Sequence, residues 1–198
     1  MTLTKPQQAG IFLVLAVIMA GTRINHFGAL PDASWAVFFA AGFYLRGSMR
    51  WAFPLLMALA VLVDFLVING QGLDFWSHYC VSAAYWFLLP AYAAMWAGGA
   101  LLRARSHGLG LRTLGWLCVS LVGAASVCFL VSNGSFYWLS DSVTAPSASG
   151  WLQNMADWYL PYLRTTAAYA GAAAVVHLIG ARWLRGLAEA PLASGRRG

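Results

Sequence analysis

The chain has 198 residues, of which 61% are hydrophobic and only 9% charged. A soluble domain carries about a quarter charged residues, so the composition excludes a water-soluble core and indicates an integral membrane protein. A net charge of +6 raises nucleic acid as a partner, but the placement of the charges argues against it. The three cysteines, Cys80, Cys118 and Cys128, form no C-x-x-C pair, which argues against a zinc ribbon or a disulfide framework.

The N-terminal stretch "MTLTKPQQAGIFLVLAVIMAG" places one Lys before an apolar run, as a signal sequence does. No small-x-small cleavage site follows, so it reads as a retained first helix, about Gln8–Gly21. A spanning helix needs about 20 mostly apolar residues. Five more candidates follow: Ser34–Leu45, which is short, then Ala52–Ile68, His78–Leu101, Leu111–Ser132 and Trp158–Ala181. Pro90 and Pro161 are expected to kink their helices, which packed membrane helices tolerate. Residues 186–198 read as a flexible tail. The expected fold is a single all-α domain of six transmembrane helices.

With the N-terminus in the cytoplasm, the inner segments hold Lys5, Arg46, Arg50, Arg103, Arg105, Arg112, Arg182, Arg185, Arg196 and Arg197, leaving Arg23 and Arg164 outside. This positive-inside pattern puts both termini in the cytoplasm and accounts for the basic charge without nucleic acid. The outer segments, "TRINHFGALPDAS", "NGQGLDFWS" and "NGSFYWLSDSVTAPSASGWLQNMADWY", carry Asn, Asp, His, Trp and Tyr. Some of these aromatics form an interfacial belt, but a binding site is expected on this side. The chain has no G-x-x-x-x-G-K-[ST] loop, no H-E-x-x-H and no dinucleotide fingerprint, so the sequence offers no site for ATP.

Within "LDFWSHYCVSAAYW", Ser77 reads as the N-cap of the fourth helix. Cys80 then falls at its third position, where free N–H groups and the dipole favour thiolate. Apolar burial opposes this. On a helix Cys80, Ala84, Phe87 and Ala91 share one face, with Ala83 beside it. The thiol has three open readings: packing, redox chemistry or metal ligation. His78 falls on a different face and does not chelate with it. Cys118 and Cys128 read as packing. Asp64, an intramembrane acid, is expected to pair with Arg23 or Arg164 or to meet ligand. His177 reads as helix packing, and Ala16 and Ala20 form a small-xxx-small pair that allows close helix contact.

The stretches "TRINHFGALPDASWAVFFAAGFYLR", "NGQGLDFWSHYCVSAAYWFLLPAYA" and "SNGSFYWLSDS", on a six-helix chain, resemble the S-components of energy-coupling-factor vitamin transporters. More closely they resemble the BtuM family of cobalamin (vitamin B12) transporters of the Gram-negative inner membrane. The resemblance implies that Cys80 is an axial ligand to cobalamin cobalt, a role open to soft thiolate. If the vitamin arrives as cyanocobalamin, thiolate must replace cyanide on that face, which makes Cys80 a candidate for promoting decyanation as well. The outer-side residues then expected around the vitamin are Asn25, His26, Asp64, Asn69, Phe75, Ala83, Ala84, Tyr85, Phe87, Asn133, Phe136, Tyr137 and Arg164. The resemblance also implies docking through Ala16 and Ala20 on a coupling module, a membrane protein plus ATPases, although such chains also occur without one. Periplasmic delivery of the vitamin fits the same picture. No D-x-H-x-x-G motif supplies a lower ligand. Other readings are an uptake protein for a different vitamin or metal chelate, a tryptophan-rich porphyrin-binding sensor, and a membrane thiol enzyme.

Overall fold

The computed structural model describes residues 3–24, 31–106, 108 and 110–189. Among them the chain is helical, without strands: α1 Lys5–Ile24, α2 Ser34–Tyr44, α3 Met49–Gly70, α4 Leu88–Arg105, α5 Leu111–Leu139 and α6 Ala148–Glu189. Short 3₁₀ turns occupy Arg46–Ser48, Phe75–Ser77 and Ala83–Phe87. Four helical stretches are long and apolar enough to cross a membrane: α1, Arg46–Gly70, Ala83–Arg105 and α5. Large apolar side chains are exposed on these helices and on α6, among them Leu13, Leu66, Val119 and Val176. An unpartnered apolar surface this extensive belongs to a bilayer-facing protein.

The shortest helix is the core of the bundle. Of the 11 residues of α2, Ser34, Trp35, Ala36, Val37, Phe38, Phe39, Ala41 and Gly42 are buried. A helix apolar all round is one surrounded by others. Its length of roughly 17 Å is about half of a bilayer's hydrocarbon thickness. Phe38 stacks on Tyr92 with centroids 4.5 Å apart and meets Phe53 edge-on at 5.4 Å. Trp35 stacks on Tyr162 of α6 at 5.1 Å.

Glycine sets the α2–α4 crossing. A Cβ on Gly42 would run into the Trp96 carbonyl, and one on Gly99 into the Phe39 carbonyl. The two backbones touch where side chains are missing, the small-residue logic of membrane helix pairs. Gly98 performs the same role toward Ala124 of α5.

Several expected boundaries are corrected. The fourth helix does not begin at His78: the chain makes a turn there, a 3₁₀ turn at Ala83–Phe87, and becomes α-helical at Leu88. Pro90 therefore lies in the first turn of α4, where its missing N–H costs nothing, while Pro54 and Pro161 sit inside helices. The fifth helix runs on to Leu139 and the sixth starts at Ala148, so most of "NGSFYWLSDSVTAPSASGWLQNMADWY" is helix and the connection is residues 140–147. At 42 residues, α6 is on the order of 63 Å long, and it carries residues 186–189, expected in the tail. The rest of that tail lies outside the described residues.

Candidate functional site

The charged residues near the end of α1 organise one end of the bundle. Arg23 is buried and grips Asp64 of α3 with two parallel bonds, Nε to Oδ1 at 2.6 Å and Nη2 to Oδ2 at 2.6 Å. Its Nη1 donates to Asp32 Oδ2 at 3.0 Å, Ser34 Oγ at 3.1 Å and the Tyr92 hydroxyl at 3.2 Å. Asp32 also accepts from the Ser34 N–H and hydroxyl, fixing the start of α2. A guanidinium with five forked donors suits this convergence, which a lysine would not. Asp64 accepts a further bond, from the Tyr85 hydroxyl at 2.6 Å. Arg164 is exposed and has no ion-pair partner among the described residues. The expected intramembrane ion pair is thus Arg23–Asp64, and Arg164 takes no part in it.

Tyr85 leads to the cysteine. Between α3 and α4 the chain runs as a non-helical strap held by its own polar side chains. Asp74 Oδ2 accepts from the Ser77 N–H at 2.9 Å, and Ser82 Oγ from the Ala84 N–H at 3.3 Å. The Val81 N–H bonds the His78 carbonyl at 2.8 Å, closing a turn with Tyr79 and Cys80 at its corner. Such side-chain captures compete with helix formation. The expected N-cap role of Ser77 is therefore corrected, because Asp74 caps a 3₁₀ turn instead. With it go the helix dipole behind Cys80 and the single face joining Cys80, Ala84, Phe87 and Ala91.

Cys80 is half-buried and unpaired. Its N–H donates to His78 Nδ1 at 3.3 Å, so that ring nitrogen is engaged. Burial pushes the thiol above its ordinary range, the Tyr79 hydroxyl pulls it back, and the Asp64 carboxylate and Arg23 guanidinium add opposing smaller effects. Cys80 is thus near enough to the Arg23–Asp64 pair to feel both charges, and its resting form is the thiol.

Several expected site residues gather around the strap. Phe75 is buried and meets Phe65 edge-on at 5.4 Å and Tyr85 at 6.3 Å. Ala84 is buried, while Ala83 and Asn69 are exposed. Phe87 turns to the other side, onto a groove formed with the C-terminal part of α5 and the start of α6. There Asn133 has a buried carbonyl oxygen, Phe136 is half-buried, and the buried Tyr137 hydroxyl donates to the Ser147 carbonyl at 3.1 Å. Asn25 and His26 lie outside the described residues. Ala16 and Ala20 are half-buried on α1, next to the exposed Val17 and Ile18. Sequence reasoning missed Asp32, Ser34 and Tyr92. The signal for Asp32 was present, since the chain has only 6 acidic residues and this one precedes a helix by two positions.

The remaining cysteines and histidine sit elsewhere. Cys128 is buried among apolar side chains and Cys118 is exposed on α5. The His177 Nδ1 and the Tyr44 hydroxyl are 2.9 Å apart, joining α6 to α2. Among the described residues no three His, Cys, Asp or Glu side chains converge to hold a bare metal ion. No family model matches the chain, and no curated protein shows significant similarity to it.

Proposed function

We propose that this chain binds cobalamin at the Cys80 end and moves it across the bacterial inner membrane. In this reading the chain makes six passes, has both termini in the cytoplasm and opens its site to the periplasm. The observation that carries the proposal is the strap: a half-buried thiol, off any helix and braced by Tyr85 on the Arg23–Asp64 pair. A corrin supplies four equatorial nitrogens, so one soft axial ligand completes the protein's share of the coordination.

The chemistry balances as a ligand exchange. The Cys80 thiol loses its proton, sulfur bonds cobalt, and cyanide leaves and takes up the proton as hydrogen cyanide, with no change in oxidation state. Because burial raises the thiol's pKa, the exchange is gated by deprotonation. The non-helical backbone at Cys80 supports the reading in another way, since a turn can yield to a wide, flat ligand more readily than a helix. Ala16 and Ala20 are where a coupling module would dock, if the chain uses one.

An absorption spectrum tests the proposal. Wild type and Cys80→Ala are purified in detergent after growth with cyanocobalamin, and free vitamin is removed. Bound corrinoid with shifted bands in wild type, and normal or lost bands in the variant, is the expected result. Identical spectra reduce Cys80 to packing. Absence of corrinoid from both points to another vitamin or metal chelate.

A further inference from the structure

Basic residues collect at one end of the bundle. Lys5 opens α1, Arg46 and Arg50 lie in and just after the turn from α2 into α3, Arg103 and Arg105 close α4, and Arg112 stands in the first turn of α5. The Ser48 hydroxyl donates to Gln8 Oε1 at 2.7 Å, tying the start of α1 to that turn. Asp32, Asp64, Asp74, Asp141 and Asp157 all lie toward the opposite end, so no aspartate offsets the positive field here. Arg112 is exposed and has no ion-pair partner among the described residues.

A groove of about 260 Å³ opens at this end, lined by Arg112, Gly115, Trp116 and Val119. At positions i, i+3, i+4 and i+7 they form one stripe of α5. The stripe continues through Gly123 to Ser126, whose hydroxyl is 2.7 Å from that of Tyr159, so α6 covers it there. Further along, α6 bears on α2: Tyr162 stacks on Trp35, and the His177 Nδ1 is 2.9 Å from the Tyr44 hydroxyl. The stripe from Gly123 to Arg112 is left bare. Val119 is 64% exposed, and a Cβ on Gly115 or Gly123 would meet nothing within 4 Å. The Arg105 guanidinium lies over the Trp116 ring, 5.0 Å from its centroid, which brings a second cation to the groove.

The geometry points to a seat for one anionic phospholipid of the leaflet at this end, its phosphate held by Arg112 and Arg105 and one acyl chain laid along Gly115, Val119 and Gly123. Charge picks the occupant. Basic residues clustered at a membrane surface attract anionic headgroups, and indoles favour the same depth; Trp116 and Arg112 are one helical turn apart. An acyl chain gains nothing hydrophobic by leaving other chains, so selection falls to the headgroup and the groove supplies fit. A zwitterionic lipid brings a cation with its phosphate, which the surrounding arginines repel. A second copy of this chain is a poorer match, because its aspartates lie at the far end. The seat is independent of what Cys80 binds.

Native mass spectrometry of the detergent-purified full chain tests it, with phosphatidylglycerol and phosphatidylcholine of identical chains added together. Wild type is expected to retain phosphatidylglycerol in preference to phosphatidylcholine. Arg112→Gln, a change at an exposed side chain, should weaken that preference roughly fivefold, and adding Arg105→Gln should weaken it further. Gly115→Leu, which fills the groove and keeps every charge, should also release the lipid. Arg46→Gln with Arg50→Gln removes charge from the same end but away from the groove, and should keep the preference. Equal retention of the two lipids overturns the inference. So does a preference that survives Arg112→Gln, or one that falls as far in the Arg46 and Arg50 variant, because the lipid then answers a diffuse field. A dimer without bound lipid that Gly115→Leu abolishes gives this face to a second copy and also overturns it.

Discussion

At the scale of single residues, two side chains carry the most specific expectations. The Cys80 thiol is pushed upward by burial, and only thiolate attacks cobalt. The sign follows: below the raised pKa the thiolate fraction falls tenfold per pH unit. The rate of cyanide displacement should therefore climb from about pH 6 and keep climbing past about pH 8.5, where an ordinary thiol levels off. Stopped-flow absorption of the corrin bands measures it, and a rate independent of pH contradicts a cysteine-driven exchange. Asp64 is the second case. Asp64→Ala leaves Arg23 buried with only Asp32 as counter-charge, a loss on the order of 3–5 kcal/mol. Thermal unfolding in detergent should show a large drop in Tm, which the double replacement Arg23→Leu with Asp64→Leu partly restores. The pairing of these two was legible because ionisable groups at membrane depth are few and must be matched. The choice of Arg23 over Arg164 was not, because it depends on which faces of α1, α3 and α6 turn inward.

At the scale of elements, the α2–α4 contact is the least tolerant of change. Gly42 and Gly99 each stand against the other helix's backbone, so an added side chain meets main chain, which cannot rotate away. Gly99→Val should cost at least about 1–3 kcal/mol by overpacking, read as lost Tm, whereas Gly115→Ala, on an open stretch of α5, should be neutral or stabilising. The helices themselves were readable as apolar runs, but two of their ends were not. "SHYCV" is apolar enough to extend the fourth helix, yet Asp74 and Ser82 capture the N–H groups of Ser77 and Ala84 and hold a strap instead. Asn133-Gly134 reads as a turn, yet it is helical. A Cβ at Gly134 would stand in ordinary contact with the Trp151 indole, 3.8 Å from its Nε1.

At the scale of the whole molecule, four helical stretches meet the requirements for crossing a membrane, and α2 is a buried central helix rather than a lipid-facing one. The proposed topology predicts that a reporter active only outside the cytoplasm works when inserted at 71–74 or 140–147. It should be silent at the N-terminus and at Gly108. Activity at all sites, or the reverse pattern, contradicts the orientation drawn from the arginines. Replacing Cys118 and Cys128 together with Ala should leave the bound-corrin bands unchanged. The thiol-enzyme reading predicts their loss.

Composition alone determined that this is an all-helical membrane protein, because so little charge and so much apolar surface has one stable setting. It also singled out Cys80, Asp64 and Arg23, since rare polar groups in such a chain stand out by scarcity. Tertiary structure decided the rest. Which arginine reaches Asp64, and the Tyr85 bond to that same carboxylate which anchors the strap, both depend on contacts between segments far apart in the chain. Local periodicity does not encode those contacts, because nearly every face of these helices is apolar and the pattern that would mark inside from outside is weak.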